Sequence, residues 1–439
     1  MKCSQEYGPI NLVAPQGAIQ STAHTWTSLR FTIGEIGHKT IQLLRKYGTN
    51  LMKFAERVEN LPPYLFVNIS RAIAAKKAQG IDVISFGIGD PDMQTPAPVL
   101  NALIEGSKKP ESHRYPESEG LPEFRTRVAK FYKDRFGVNV NPETEVINLI
   151  GAKEGIAHTA LCFIDPGDIS ISPDPAYPVY EIGTMFAGGK THFTTLSEQN
   201  KYLVDFTSIP TEIAKKAKTL WINYPNNPTG AIAPMSFFEE AVHYCKEFDI
   251  ALLHDAAYTE VTYDGYIAPS ILQVEGAMDI AMEFHSLSKT ANMTGWRVGM
   301  ATGNPDMVNA LMRVKSNIDS GLSQANQEMG IAALDLPEKW LEVNNEVYRK
   351  RRDKVVSVLN RIGVPAVAPK GALYIWTPIP DGYTSAEFAQ KLLDEANVVV
   401  TPGNGYGPGG EGYIRLSLTI SDDQIDEGLR RLSQIRGAG

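Results

Sequence analysis

The chain reads as an α/β protein built around a mostly parallel sheet, and three observations predict it. From about residue 96 to residue 331, short apolar runs alternate with longer amphipathic stretches, the pattern of strands joined by crossover helices. Residues 145–150, Glu-Val-Ile-Asn-Leu-Ile, are mostly apolar rather than apolar at every second position, as in a strand covered on both faces. Chemically capable side chains gather where these runs end, and open parallel sheets bind ligands at the carboxyl ends of their strands.

In order, 145–150 is a strand and 152–164 the helix that follows it. Residues 168–172, 219–223, 250–254, 282–285 and 298–302 are further short strands, with a helix at 236–248 between two of them. A long polar helix is expected over 337–362, then strands at 372–377, 398–401 and 413–418 and helices at 385–396 and 422–435, which together make a smaller α/β domain. The expected division is an extension at 1–51, an arm with part of the small domain at 52–95, the large domain at 96–331 and the small domain at 332–439. Residues 1–51 are rich in Ser, Thr and Gly and lack a sustained period. They fit a flexible tail, a transit peptide or, the reading favoured here, sequence upstream of a start at Met52, since a transit peptide calls for more arginine than Arg30 and Arg45.

At 439 residues with a formal charge of −8 and a pI near 5.6, the chain carries no basic footprint for nucleic acid. No apolar run is long enough to span a bilayer, so neither nucleic acid nor membrane is expected as a partner. Cys3, Cys162 and Cys245 are far apart and lack histidines at metal spacing, which fits a reducing cytoplasm and no metal site.

The stretch Ser286-Leu287-Ser288-Lys289, with Arg297 eight residues past the lysine, carries the most chemistry. A lysine that forms imines must be neutral at working pH, and burial near another cation favours that form. Serine hydroxyls and a planar guanidinium suit a dianionic phosphate. An amine, hydroxyls and a guanidinium at this spacing suit pyridoxal phosphate. Gly151-Ala152-Lys153-Glu154-Gly155 follows a strand and opens a helix, so its N–H groups and helix dipole can receive a phosphate. Asp255 ends the 250–254 strand and Tyr258 lies three residues on; a carboxylate there can keep a pyridinium nitrogen protonated and a phenol can bond the ring oxygen. Asn226 and Asn227, in Tyr224-Pro225-Asn226-Asn227-Pro228-Thr229-Gly230, lie on a loop by composition. Tyr177 offers a stacking face and Arg415, on an alternating strand, a bidentate carboxylate anchor. Each residue also has an ordinary use: a surface ion pair for Lys289 and Arg297, a turn or cap for Asp255, a core position for Tyr177 and an exposed strand position for Arg415.

These segments, together with Gly87-Ile88-Gly89-Asp90-Pro91-Asp92 and Tyr115 in His113-Arg114-Tyr115-Pro116, occur in an order that resembles the fold-type I, class I/II aminotransferases over nearly everything from Met52 onward. The resemblance implies a seven-stranded, mostly parallel sheet between helices in the large domain, and pyridoxal 5'-phosphate as cofactor. It implies that Lys289 holds the cofactor and shuttles a proton between substrate Cα and cofactor C4′. Asp255 pairs with the pyridine nitrogen, Tyr258 and Asn227 bond the ring hydroxyl, and Tyr177 stacks on the ring. Ala152, Lys153, Ser286, Ser288 and Arg297 hold the phosphate, with Tyr115 reaching it from the other subunit of a homodimer, while Gly89 and Arg415 hold the substrate α-carboxylate. Within the family, Leu61-Pro62-Pro63-Tyr64-Leu65-Phe66, the run through Asp92 and Lys153 are most similar to the branch that acts on LL-diaminopimelate and exchanges its amino group with 2-oxoglutarate in lysine and cell-wall synthesis. On that resemblance Tyr64, Lys153, Tyr177 and Asn227 also face substrate. Aspartate, alanine or aromatic transaminases and C–S lyases share the same cofactor residues and stand as alternatives. A cofactor-binding DNA regulator needs a basic module for which 1–51 is too short.

Overall fold

Six of the seven strands of the central sheet are rich in apolar and small residues and buried at all but one position or better, so both faces exclude water. The structure, a computed structural model, describes residues 52–62 and 65–435; the 1–51 extension and Tyr64 lie outside them. Residues 52–59 stand as a separate unit containing one helical turn, Glu56–Glu59.

The strands are β1 (Ile84–Ser85), β2 (Val146–Ile150), β3 (Ile169–Asp174), β4 (Lys190–Thr195), β5 (Ala217–Ile222), β6 (Ala251–Asp255), β7 (Ala281–Ser286), β8 (Val298–Gly303), β9 (Tyr374–Pro378), β10 (Val398–Val399), β11 (Thr401–Pro402) and β12 (Tyr413–Ser417). The seven-stranded sheet runs β2-β8-β7-β6-β5-β3-β4. Strands β7, β6, β5, β3 and β4 pair in parallel, whereas β8 is antiparallel to both β2 and β7. All five large-domain strands predicted after residue 150, and 145–150 itself, are present within two residues at each end. The unpredicted β4, Lys-Thr-His-Phe-Thr-Thr, is an edge strand whose residues are mostly half-exposed, so it lacks the apolar run that marks its neighbours.

Helices α1 (Leu65–Lys77), α2 (Ala97–Ser107), α3 (Pro122–Phe136), α4 (Ala152–Phe163), α5 (Val179–Phe186), α6 (Met235–Phe248), α7 (Pro305–Ser316) and α8 (Gln324–Leu334) precede α9 (Glu338–Arg361), α10 (Ser385–Ala396) and α11 (Asp422–Leu432). Two apolar cores flank the sheet. One includes Val128, Leu220, Ile222, Leu252 and Phe238, and the other Ile147, Leu149, Trp221, Leu253 and Phe284. Each buried leucine or isoleucine contributes about 1.5–3 kcal/mol relative to exposure.

A third core, with Phe86, Tyr348, Leu373, Ile375, Phe388, Leu416 and Leu429, lies beside two smaller sheets. These are the antiparallel β11-β12-β9 and the parallel pair β1-β10. The single strand expected at 398–401 is therefore corrected. The chain leaves one sheet at Val399 and enters another at Thr401, with the buried Val400 at the crossing. A continuous apolar run cannot show that its two halves pair with different partners.

Candidate active site

Sheet topology brings the candidate residues to one edge. Gly151 follows β2, Asn223 follows β5, Asp255 ends β6 and Ser286 ends β7. Arg297 instead precedes a strand, yet it reaches the same edge because β8 is antiparallel: Val298 pairs with Ile150 and Gly299 with Ser286.

Lys289 sits in a single helical turn, Leu287–Thr290, directly after β7. Its Nζ donates to Gly89 O at 2.7 Å. Burial lowers the amine to about 8; the Asp90 carboxylate opposes the shift, while the Arg415 and Arg297 charges add to it. A neutral, nucleophilic amine therefore becomes abundant as pH rises through about 8. Capture of added pyridoxal phosphate by apoprotein, followed by the visible absorption of the lysine-bound cofactor, should accelerate across that range and then level off. A pH-independent capture rate would contradict this assignment of the amine.

Gly151 has φ +71°, and a Cβ there would lie 2.4 Å from Arg297 Nη2. Its missing side chain is what lets the guanidinium approach the start of α4, where helix geometry leaves N–H groups without intrahelical acceptors. Arg297, itself at φ 58°, is steadied by Nη1 donating to Thr294 O at 2.9 Å. Ser286 Oγ accepts from Ser288 N at 3.3 Å. The Ser288 hydroxyl is buried and has no hydrogen-bond partner among the described residues. An orphaned hydroxyl, a guanidinium and a helix N-terminus around a space that only glycine leaves open fit a phosphate. Gly151→Ala should raise the Kd for pyridoxal phosphate about tenfold or more, since it combines a positive φ with displacement of Arg297. Titration of the apoprotein measures it, and an unchanged Kd would refute this cradle.

Asp255 is buried, with Oδ2 accepting from Tyr180 at 2.8 Å. Burial pushes its carboxyl up, opposed by the Tyr180 hydroxyl and the charge of His254. Asn223 Nδ2 donates to Asp255 O at 2.6 Å and Asn223 Oδ1 accepts from Asn227 N at 2.8 Å, so one buried amide ties the β6 end to the Asn227 loop. Tyr180 stacks on Trp221, ring centroids 4.8 Å apart, and meets the half-buried Tyr177 edge-on.

Arg415 is buried, which excludes the exposed strand position. Its Nη1 donates to Asn227 Oδ1 and its Nη2 to Gly87 O, each at 2.8 Å, and its guanidinium lies 4.0 Å from the Tyr374 ring centroid. Tyr374 also shares a 2.7 Å hydrogen bond with Tyr258, whose phenol burial pushes well above its usual value. A Cβ on Gly89 would overlap the Tyr374 hydroxyl. The Gly87–Asp92 loop is clamped from the third core. Thr401 Oγ1 donates to Gly87 O at 2.7 Å, Thr419 Oγ1 donates to Ile88 O at 2.9 Å, and Arg351 grips Asp92 at 2.7 and 3.0 Å. Lys153 is exposed at the first turn of α4 and Tyr115 is 86% exposed.

Tyr374, Tyr180, Asn223 and Arg351 escaped sequence reasoning. Tyr374 meets Tyr258 across 116 positions of chain, and no local period reports such a pairing.

A buried amine of lowered pKa beside a phosphate cradle and a buried carboxylate, at the carboxyl edge of a doubly covered parallel sheet, defines a pyridoxal phosphate enzyme of fold type I. The model of the aminotransferase class I and II family matches residues 81–432, and the chain belongs to that family, whose members depend on pyridoxal phosphate. The chain is 54% identical over 385 residues to an LL-diaminopimelate aminotransferase of Dehalococcoides mccartyi, covering 88% of this chain and 99% of the relative. A relative of the same name from Aquifex aeolicus is 50% identical, covering 88% and 100%. Among solved structures, substrate-bound BacF from Bacillus subtilis superposes with a TM-score of 0.84 at 34% identity, covering 88% of this chain and 98% of that one. A probable N-succinyldiaminopimelate aminotransferase from Thermus thermophilus gives 0.80 at 33%, covering 84% and 99%.

Proposed function

We propose that the chain transfers an amino group between LL-diaminopimelate and 2-oxoglutarate. The observation that carries this reading is identity of about half, along almost the entire length of relatives named for that substrate. The distal end of such a substrate is charged, and Lys153, exposed at the start of α4, offers a cation for its carboxylate; Tyr64 is a second candidate on the sequence pattern. Purified enzyme should form glutamate from LL-diaminopimelate and 2-oxoglutarate. Rapid turnover of aspartate or alanine with none of LL-diaminopimelate would sink the substrate assignment and leave the transaminase chemistry intact.

Bound pyridoxal phosphate supplies an electron sink for the substrate Cα. Lys289, whose amine burial lowers to about 8, would move the proton between substrate Cα and cofactor C4′. Asp255 holds the pyridine nitrogen protonated, Tyr258 and Asn227 bond the ring hydroxyl, and Tyr177 covers the ring face. Ala152, Lys153, Ser286, Ser288 and Arg297 hold the phosphate. Arg415 and Gly89 orient the substrate carboxylate, and the existing bonds of Arg415 to Asn227 and Gly87 fix its guanidinium before substrate arrives.

The exposed phenol of Tyr115 supports a homodimer in which it reaches the other subunit's phosphate, with 316–323 as a further stretch at the interface. A monomer by sedimentation equilibrium at micromolar protein would refute this. The separate third core supports a large domain at 96–331 and a small domain at 332–439 that takes in β1. Cys162 and Cys245 are free, and burial pushes the Cys162 thiol up to about 12; inert thiols of this kind support a cytoplasmic location. No helix of the described residues is long and apolar enough to cross a membrane.

A further inference from the structure

Behind the site, on the opposite pleat from Asp255 and Ser286, three ionisable side chains are sealed in the core: His254 on β6, and Glu283 and His285 on β7. His254 and Glu283 are both 0% exposed. Glu283 accepts from His254 Nδ1 at 2.9 Å and from His285 Nε2 at 2.8 Å. It also accepts from Tyr132 and Ser270 hydroxyls, each at 2.9 Å, and from Ile271 N at 3.0 Å. Burial would raise this carboxyl, but the hydrogen bonds from His254 and His285 hold it well below its usual range. Five donors aimed at two oxygens define an ionised acceptor.

The other ring nitrogen of His254, Nε2, lies 3.1 Å from Tyr224 O. A backbone carbonyl accepts and cannot donate, so both ring nitrogens of His254 face acceptors. A neutral imidazole has one N–H and would leave one contact as acceptor against acceptor, sealed from water beside the Phe238 ring, 5.1 Å away. Hydrogens on both nitrogens satisfy every group, and the positive charge is matched by Glu283. No other described hydrogen bond reaches the His254 ring.

We infer that His254 is a buried imidazolium paired with Glu283, and that it is a positioning residue whose charge keeps its chain neighbour Asp255 ionised to receive the cofactor's pyridine nitrogen. The inference rests on the assignment of Asp255 given above. The groups facing Asp255 itself are the Tyr180 hydroxyl on α5 and the Ala257 N–H, with Asn223 bonded to its carbonyl. Every one is neutral, so their hydrogen bonds offset only part of the cost of burying its charge, and burial still pushes the carboxyl up. Behind it, the His254 ring and then the His285 ring favour its ionised form. Glu283 in turn lets His254 be charged without an isolated ion in the core.

The test has two readouts. In apoprotein labelled with 15N at histidine, His254 should carry a hydrogen on each ring nitrogen at neutral pH, identified by loss of the signal in His254→Gln. A single-hydrogen tautomer there overturns the inference and leaves the site assignment standing. In His254→Gln, the Kd of pyridoxal phosphate at neutral pH should rise about tenfold. The defect should shrink as pH rises, because Asp255 ionises at high pH with or without the neighbouring charge. A loss of affinity equal at all pH values signals misplaced packing and overturns the inference. Asp255→Asn is the control, since it should bind weakly at every pH. Normal cofactor affinity in that variant would overturn the assignment of Asp255 and, with it, the role given to His254.

Discussion

Lys289→Ala is expected to lower kcat by about 10⁴-fold or more, because the substitution removes the residue proposed as both the covalent anchor and the base that moves the Cα proton. The loss should appear as absent glutamate formation in saturating donor and acceptor, and as failure of added pyridoxal phosphate to develop the absorption of a lysine-bound cofactor. Stability should be spared. Lys289 makes one hydrogen bond, to Gly89 O, and its lowered amine pKa shows that the fold disfavours the charged form at this place. A melting temperature near wild type beside abolished turnover separates chemistry from folding. Full activity in the variant would end the assignment.

Arg415→Ala should lower kcat/KM by about 10³-fold for every amino donor, and also for the 2-oxo acid, since each carries the carboxylate that the guanidinium is proposed to orient. The effect should fall mainly on KM. The substitution also strips Asn227 Oδ1 and Gly87 O of a buried charged donor; Gly87 O keeps the Thr401 hydroxyl, so the cost of an unsatisfied acceptor, about 1–3 kcal/mol, falls on Asn227 Oδ1. A lower melting temperature is therefore expected alongside. Arg415→Lys separates the two effects: it keeps a charge but not the planar fork, so it should recover part of the stability and little of the affinity. An unchanged KM for all substrates would show that the carboxylate is held elsewhere.

The large-domain strands were legible because a strand covered on both faces leaves an uninterrupted apolar run. β5, β6 and β8 carry one of three or more residues, while β2 is broken only by Asn148 and β7 by Glu283 and His285. The edge strand β4 escaped because half its residues meet solvent and read like loop. Lys289, Arg297, Asp255 and Arg415 stood out through residue type and spacing, while their geometry depended on strand direction. Arg297 reaches the site only because β8 runs against its neighbours, and Tyr374 only because β9 packs against the loop carrying Gly89.

By itself, the order of runs and turns determined the fold class, the existence of a second α/β region and the residues able to hold a phosphate, an imine and a carboxylate. Local pattern suffices for these, since burial on two faces, helix starts and loop composition are written within a few neighbouring residues. Tertiary structure decided what surrounds those residues: Tyr180 on Asp255, Tyr374 between Tyr258 and Arg415, and Glu283 between His254 and His285. Those contacts join positions up to 116 apart in the chain, as between Tyr258 and Tyr374. The burial that lowers the Lys289 amine is likewise a property of the packed whole, because the cost of a charge depends on everything that replaces water around it.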